Sequence, residues 1–291
     1  MELTHIATRE GRLSSFLRNE LSLSASLMNR LKWQNKLLVN GVPRFADYEI
    51  SVGDVITADL DEPAPDYPAE DTPITVLYED EHILAVDKPA GILIHPSNSR
   101  NTGTLANRVL GYYERTGQNS AFHPVTRLDR DTFGIVLLAK NAFIHEKLNA
   151  LHSAGKLEKT YEALVYGRMS PTQGEICAPI ARKGYPSLLR EIRPDGKPSL
   201  TRYQVLEQGD VCSLVSLQPI TGRTHQLRVH LSYLGFPILG DPQYATQKSA
   251  QFSAEAGYHT QMLCAKRLRF PHPVTGEPLE LTSRNELSLP K

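Results

Sequence analysis

From Ile74 onward the apolar positions fall in short blocks whose period keeps changing. Ile74 to Tyr78 and Ile83 to Val86 read as strands, and Thr104 to Tyr113 as a helix. Ile135 to Ala139 is an unbroken apolar run of strand length, followed by a helical pattern from Ala142 to Ser153 and a strand from Leu157 to Tyr166. Tyr203 to Glu207 and Cys212 to Gln218 flank Gln208-Gly209-Asp210, which predicts an antiparallel hairpin. A helix over Thr224 to Leu234 is stopped by Gly235. Many strands, few long helices and hairpin connections predict an α+β fold with a mixed, largely antiparallel sheet.

The first 60 residues have a different texture. Leu13, Phe16, Leu17 and Leu21 share one helical spacing; Leu27, Met28 and Leu31 share another, after a capping Ser24 or Ser26. Lys36 to Val39, an Asn40-Gly41 turn and Val42 form a hairpin signal, because both turn residues tolerate positive φ. Val55 to Leu60 reads as a further strand. These apolar positions are too few for more than a small core. Residues 61–73 hold four prolines and five acids without periodicity, which predicts a semi-extended, solvated linker. The division is therefore 1–60 as a small domain, 61–73 as linker and 74–291 as the main domain.

Length and composition add limits. A chain of 291 residues suits one large domain plus a smaller one. No apolar run approaches the roughly 20 residues of a membrane helix, and Met1 to Gly11 lacks the apolar centre of a secretory signal. A cytoplasmic protein without membrane contact, read as a monomer, is the expectation. Cys177, Cys212 and Cys264 are widely spaced and form no Cys-x-x-Cys pair, which argues against disulfides and structural zinc. The formal net charge of zero hides segregation. Residues 1–44 carry seven Lys or Arg against three acids, residues 45–87 carry thirteen acids and no Lys or Arg, and the remainder is basic again. Basic blocks suit a phosphate backbone, or are ordinary solvated surface.

The small domain's order of Arg12-Leu13, a capped second helix with a basic flank, Val39-Asn40-Gly41 and Gly53-Asp54-Val55-Ile56 resembles the S-four-type RNA-binding domain of ribosomal proteins. In that family the helical hairpin lies along RNA, so the resemblance implies Arg12, Arg30, Lys32 and Lys36 as RNA contacts.

Three polar clusters sit at element ends in the main domain. Arg127-Leu-Asp-Arg-Asp-Thr-Phe-Gly134 leads into the buried strand. Side-chain alternation turns Arg127 and Asp129 one way and Leu128 the other. Flanking Arg127 and Arg130 would keep Asp129 ionised, as a nucleophile or electrostatic stabiliser needs; a structural ion-pair network is the plain alternative. In Lys159-Thr-Tyr-Glu-Ala-Leu-Val165, alternation aligns Lys159 and Tyr161, and such a tyrosine either handles a base or packs in the core. Thr221-Gly-Arg-Thr-His-Gln-Leu-Arg-Val-His230 opens a helix on which His225 and Arg228 share a face. His225 and His230, five apart without a carboxylate at ligand spacing, are poor metal ligands.

In this order the three clusters closely resemble the RluA family of RNA pseudouridine synthases, with Lys88-Pro-Ala-Gly-Ile-Leu-Ile-His-Pro96 fitting its opening strand and loop. The resemblance covers roughly residues 74–283 and implies a catalytic domain of pseudouridine synthase type. It implies Asp129 as the catalytic aspartate that detaches uracil from ribose, so that the base rejoins through carbon. Tyr161 would pack on the target ring and could take the proton lost at the new bond. Arg228 would pair with Asp129, Arg127 would enter the stack vacated by a flipped uridine, and Lys159 would support the site. The implied partner is RNA, ribosomal RNA first and transfer RNA second. No metal, nucleotide or redox cofactor is required, because the reaction is an isomerisation. Two positions depart from the family pattern: Thr126 stands where histidine is usual, and Phe133 where serine or threonine is usual. A non-catalytic RNA binder is the main rival. A hydrolase using Asp129 and Asp131 is another, disfavoured because two flanked, ionised carboxylates leave no acid.

Overall fold

A computed structural model describes residues 2–21, 23–63, 65–97 and 100–290. The amino-terminal unit comprises β1 (Glu2–Ile6), β2 (Gly11–Arg12), α1 (Leu13–Asn19), α2 (Ala25–Trp33), β3 (Leu37–Val39), β4 (Val42–Pro43), β5 (Glu49–Ile50) and β6 (Val55–Asp59). Ser24 is the cap of α2, its hydroxyl accepting from the Leu27 amide at 3.1 Å. Asn40 stands at φ 51° and Gly41 at 78°, the turn that the Asn-Gly pair announces.

The main domain begins with β7 (Thr75–Glu79), β8 (Ile83–Lys88), α3 (Leu105–Arg115), β9 (His123–Pro124), β10 (Phe133–Ala139), α4 (Ala142–Ser153) and β11 (Glu158–Tyr166). It continues with β12 (Gln173–Cys177), β13 (Ile180–Arg182), β14 (Arg190–Ile192), β15 (Leu200–Gln208), β16 (Cys212–Pro219), α5 (Gln226–Tyr233), α6 (Gln247–Glu255), β17 (Leu263–Pro271) and β18 (Pro278–Thr282). Among the described residues, ten strands form one sheet whose main path runs β12-β15-β16-β11-β17-β10-β8-β7. Its pairings are antiparallel except β10 with β17, which is parallel and short. The sheet is thus mixed and mostly antiparallel, as the strand pattern predicts.

The β10–β17 junction explains one glycine. Gly134 has φ 106°, and a Cβ there would lie 2.4 Å from the Ala265 carbonyl oxygen, so only glycine lets the strands meet. α3 contains a second case: a Cβ on Gly111 would lie 2.1 Å from the carbonyl oxygen of Glu70, because residues 61–73 run directly over the helix.

Two sequence expectations are corrected here. Residues 61–73 are not a free solvated spacer. The carboxylate of Glu62 accepts the Ala142 amide at the start of α4 at 2.9 Å and lies 2.9 Å from His123 Nε2; Asn107 Nδ2 donates to the Pro68 carbonyl at 2.8 Å; Arg115 pairs with Asp71. Nor is the amino-terminal core separate: Leu13, Leu17, Leu31, Ile56 and Leu60 belong to the same buried apolar cluster as Ile83, Ala85, Leu137, Ile144 and Leu268. The strands β1, β12, β17 and β18 and the helix α6 carry only weak apolar periodicity in the sequence and emerge in the structure. No described helix is long and apolar enough to cross a membrane.

Candidate active site

The loop before β10 is fastened from beneath by Lys88, fully buried at the end of β8. Its ammonium donates to the carbonyls of Pro89 (2.9 Å), Ile92 (3.0 Å) and Arg130 (2.9 Å), and Gly91 N also reaches the Arg130 carbonyl at 3.0 Å. Burial lowers the pKa of Lys88 to about 8, against the opposing pull of Asp131 and Asp129. From above, the Thr126 hydroxyl accepts the Leu137 amide at 2.9 Å, and Gln261 Nε2 donates to the Thr132 hydroxyl. Thr126 is therefore a buried anchor of the loop, and Phe133 packs into the cluster that includes Leu164, Leu239 and Cys264.

This loop presents Asp129, whose side chain is 28 % exposed. Arg228 Nη1 donates to Asp129 Oδ2 at 2.9 Å. The guanidinium is 5 % exposed and its other edge is clamped: Nε and Nη2 donate to the two oxygens of fully buried Asp241 at 2.7 and 2.9 Å, and Nη2 also donates to Gln243 Oε1 at 2.7 Å. The Tyr244 ring lies against it, 4.9 Å from the centroid. Burial works against the charged guanidinium, but the bonds to Asp241 and the charges of Asp241 and Asp129 outweigh it and hold its pKa above the ordinary value. Sequence reading missed Asp241, Gln243 and Tyr244. The only local signal was the turn-forming Gly240-Asp241-Pro242.

His225 precedes α5 in the left-handed region, at φ 57°. Its Nδ1 is 2.8 Å from the Tyr244 hydroxyl and its Nε2 is 3.8 Å from the same Asp129 oxygen that Arg228 holds. Burial lowers its pKa, so the ring is neutral near pH 7. Gln226 fixes the turn that sets this geometry: its Oε1 accepts from Thr221 Oγ1 and Arg223 N, and its Nε2 donates to the Leu200 carbonyl and Thr201 Oγ1. His230 is wholly buried against Thr201 and Ala178, a core anchor remote from this role. Among the described residues, no group of three His, Cys, Asp or Glu side chains could hold a metal.

Tyr161 stands on β11 at the register of Ala265 and Leu217, next to a bulge against β17. Burial, with the nearby Asp129 carboxylate second, raises its pKa strongly, so it remains a neutral phenol. On the same strand, Lys159 Nζ is 3.1 Å from His152 Nε2; burial, helped by the Arg127 charge, lowers its pKa to about 8. Arg127 is exposed beside it. Arg130 does not serve Asp129 as its place in the sequence suggests: it forms a two-point pair with Asp131 at 3.0 Å, and Asp129 is held by Arg228, the partner that the family resemblance implies.

The amino-terminal basic residues lie elsewhere. Arg12 pairs with Glu49 at 3.4 Å, Arg30 with Glu62 at 3.5 Å, and Lys36 with Asp59 at 3.0 Å. Lys32 instead lies over the rings of Trp33 and Phe45.

Comparison with known proteins places this geometry. A family model described as RNA pseudouridylate synthase matches residues 82–233. "Uncharacterized RNA pseudouridine synthase YjbO" of Bacillus subtilis (strain 168) is 37 % identical over 261 residues, covering 89 % of this chain and 90 % of that protein. "Ribosomal large subunit pseudouridine synthase C" of Vibrio vulnificus (strain CMCP6) is 33 % identical over 285 residues, covering 94 % and 88 %. The solved structure of human RNA Pseudouridylate Synthase Domain Containing 1 superposes with a TM-score of 0.60 at 26 % identity, covering 76 % of this chain and 93 % of that one. By its matching family model, its full-length relatives and its fold, this chain belongs to the RluA family of RNA pseudouridylate synthases.

Proposed function

We propose that the chain converts uridines of structured ribosomal RNA to pseudouridine, with Asp129 as the catalytic carboxylate. The ribosomal target is favoured by the names of its relatives, among them the ribosomal large subunit pseudouridine synthases C and D of Vibrio species. The observation that carries the reading is the Asp129–Arg228–Asp241 chain: a partly exposed carboxylate held at 2.9 Å by a guanidinium that is itself fixed on its far side.

The reaction breaks the bond from uracil N1 to ribose C1′, forms one from uracil C5 to C1′, removes a proton from C5 and returns one to N1. An ionised Asp129 serves attack on the sugar, attack on the ring or abstraction of a ribose proton alike. Arg228 orients the carboxylate through one oxygen and leaves the other for the substrate. Tyr161, neutral as a phenol, packs on the target ring; acting as a base would require a phenolate, which burial and Asp129 oppose. Arg127 and Lys159 stand on one side of the site, where Arg127 enters the stack that the flipped uridine leaves and Lys159 meets phosphate. The amino-terminal unit, an S-four-type domain, holds the RNA at a distance from the chemistry, and the enzyme acts as a cytoplasmic monomer.

Asp129→Asn tests this reading. Arg228 keeps Asp241 in that variant, so no buried charge is left unpaired and the fold should persist. RNA affinity within a few fold of the parent, with pseudouridine formation lost, is the expected outcome. Pseudouridine formation at the parental rate would remove Asp129 from the chemistry.

A further inference from the structure

The amino-terminal unit buries Leu13, Phe16, Leu17, Leu27, Met28 and Leu31, yet leaves two large aromatic rings outside. Trp33, at the end of α2, is 77 % exposed, and Phe45, just after β4, is 58 % exposed. Large aromatic side chains normally bury much of their area, so two adjacent exposed rings mark an interaction surface. The Lys32 ammonium lies 5.2 Å from the Trp33 ring centroid and 5.1 Å from that of Phe45, within cation–π range of both. Nearby, the Arg44 guanidinium lies 4.6 Å from the Tyr48 ring.

The charge around the rings selects the partner. Arg12, Arg30 and Lys36 are each engaged by an acid of this chain, whereas the Lys32 ammonium makes no hydrogen bond or ion pair among the described residues. Exposed aromatic rings beside a cation without an acidic partner match an unpaired nucleotide, which offers a base to stack and a phosphate to neutralise. A base within a duplex has both faces covered and offers only its phosphates.

We propose that Trp33 and Phe45, bridged by Lys32, form a stacking platform for an unpaired nucleotide of the RNA. This deepens the RNA reading above and rests on it.

Trp33 is the single tryptophan of the chain, so its emission reports on this surface alone. The full chain is titrated with a short oligouridine, an abasic strand of equal length and a duplex of equal length. The oligouridine should quench Trp33 strongly, and the abasic strand and duplex weakly. Because Trp33→Leu removes the emitting ring, variant affinities are read from the anisotropy of a labelled oligouridine: Trp33→Leu and Phe45→Leu should each weaken binding roughly 5- to 150-fold, the range for loss of one stacked base, with an unchanged salt slope. Trp33→Tyr should recover most of the affinity. Lys32→Gln should lower the salt slope by about one. Thermal unfolding of each variant checks that the fold is intact.

Equal quenching by the abasic strand, or parental affinity in Trp33→Leu, overturns the platform while leaving the RNA reading in place. Emission that responds to protein concentration rather than RNA assigns the rings to a second copy of the chain and overturns it as well. A parent chain that binds none of the three short ligands overturns the platform, while the RNA reading is tested separately by pseudouridine formation in Asp129→Asn.

Discussion

At the scale of single residues, the site depends on how Arg228 is shared. It serves Asp129 with one nitrogen and Asp241 with two, and Asp241 is wholly inaccessible. Arg228→Ala strands that buried carboxylate, so a stability loss of about 3–5 kcal/mol is expected in denaturant unfolding, together with a steep fall in turnover. Arg228→Lys keeps the charge but not the fork; it should refold better than the alanine variant while staying poorly active. Turnover in Arg228→Ala within a few fold of the parent would contradict the pairing. Lys159 supplies a separate pH signature. Its pKa is lowered to about 8, so in the free enzyme its charge is present below pH 8 and lost as pH rises through that value. The alkaline limb of kcat/KM for RNA should fall there, and Lys159→Arg, charged throughout, should move that limb to higher pH. An unshifted limb would assign it to another group, with Lys88 the first candidate.

At the scale of elements, the important joints are places where segments distant in sequence touch closely. The short parallel contact of β10 with β17 carries the Asp129 loop, and Gly134 is its tightest point. Gly134→Ala must move either strand, since its Cβ would lie 2.4 Å from a backbone oxygen at a φ of 106°. Destabilisation of more than about 2 kcal/mol is expected in denaturant unfolding, with residual activity reduced because the loop shifts. A variant as stable and active as the parent would show that the joint yields without cost. Several elements were legible beforehand: the capped helix α4, the hairpin β15–β16 and the apolar run β10 each carry strong local pattern. β17 was not, because Lys266, Arg267 and Arg269 interrupt its apolar period. Lys266 is nevertheless buried, its ammonium satisfied by the Ser283 and Asn285 carbonyls and by Glu286.

At the scale of the whole molecule, the amino-terminal unit is joined to the rest by more than a tether. The buried apolar cluster is continuous across both parts, Ser24 donates to Glu146 on α4, and Glu62 links Arg30, His123 and the start of α4. Removing residues 1–60 should therefore do two things. It should weaken RNA binding and flatten its salt dependence, and it should also lower the melting temperature by exposing apolar surface on the main domain. A truncated chain melting at the parental temperature would mean that the two parts are independent.

The sequence alone determined the α+β class, the order of the strong strands and helices, and the three motifs that gather Asp129, Tyr161 and Arg228. Each is encoded locally, in periodicity, turn chemistry or a short motif. Tertiary structure decided that the adjacent Arg130 turns to Asp131, so that Asp129 is held by Arg228, 99 positions away, the partner that the family resemblance implies. It also decided that Asp241 backs the pair, that residues 61–73 bind α3 and α4, and that Trp33 and Phe45 stay outside the core. The reason is that partner choice, burial and the pKa shifts that follow from them depend on distances between segments, and those exist only once the chain has packed.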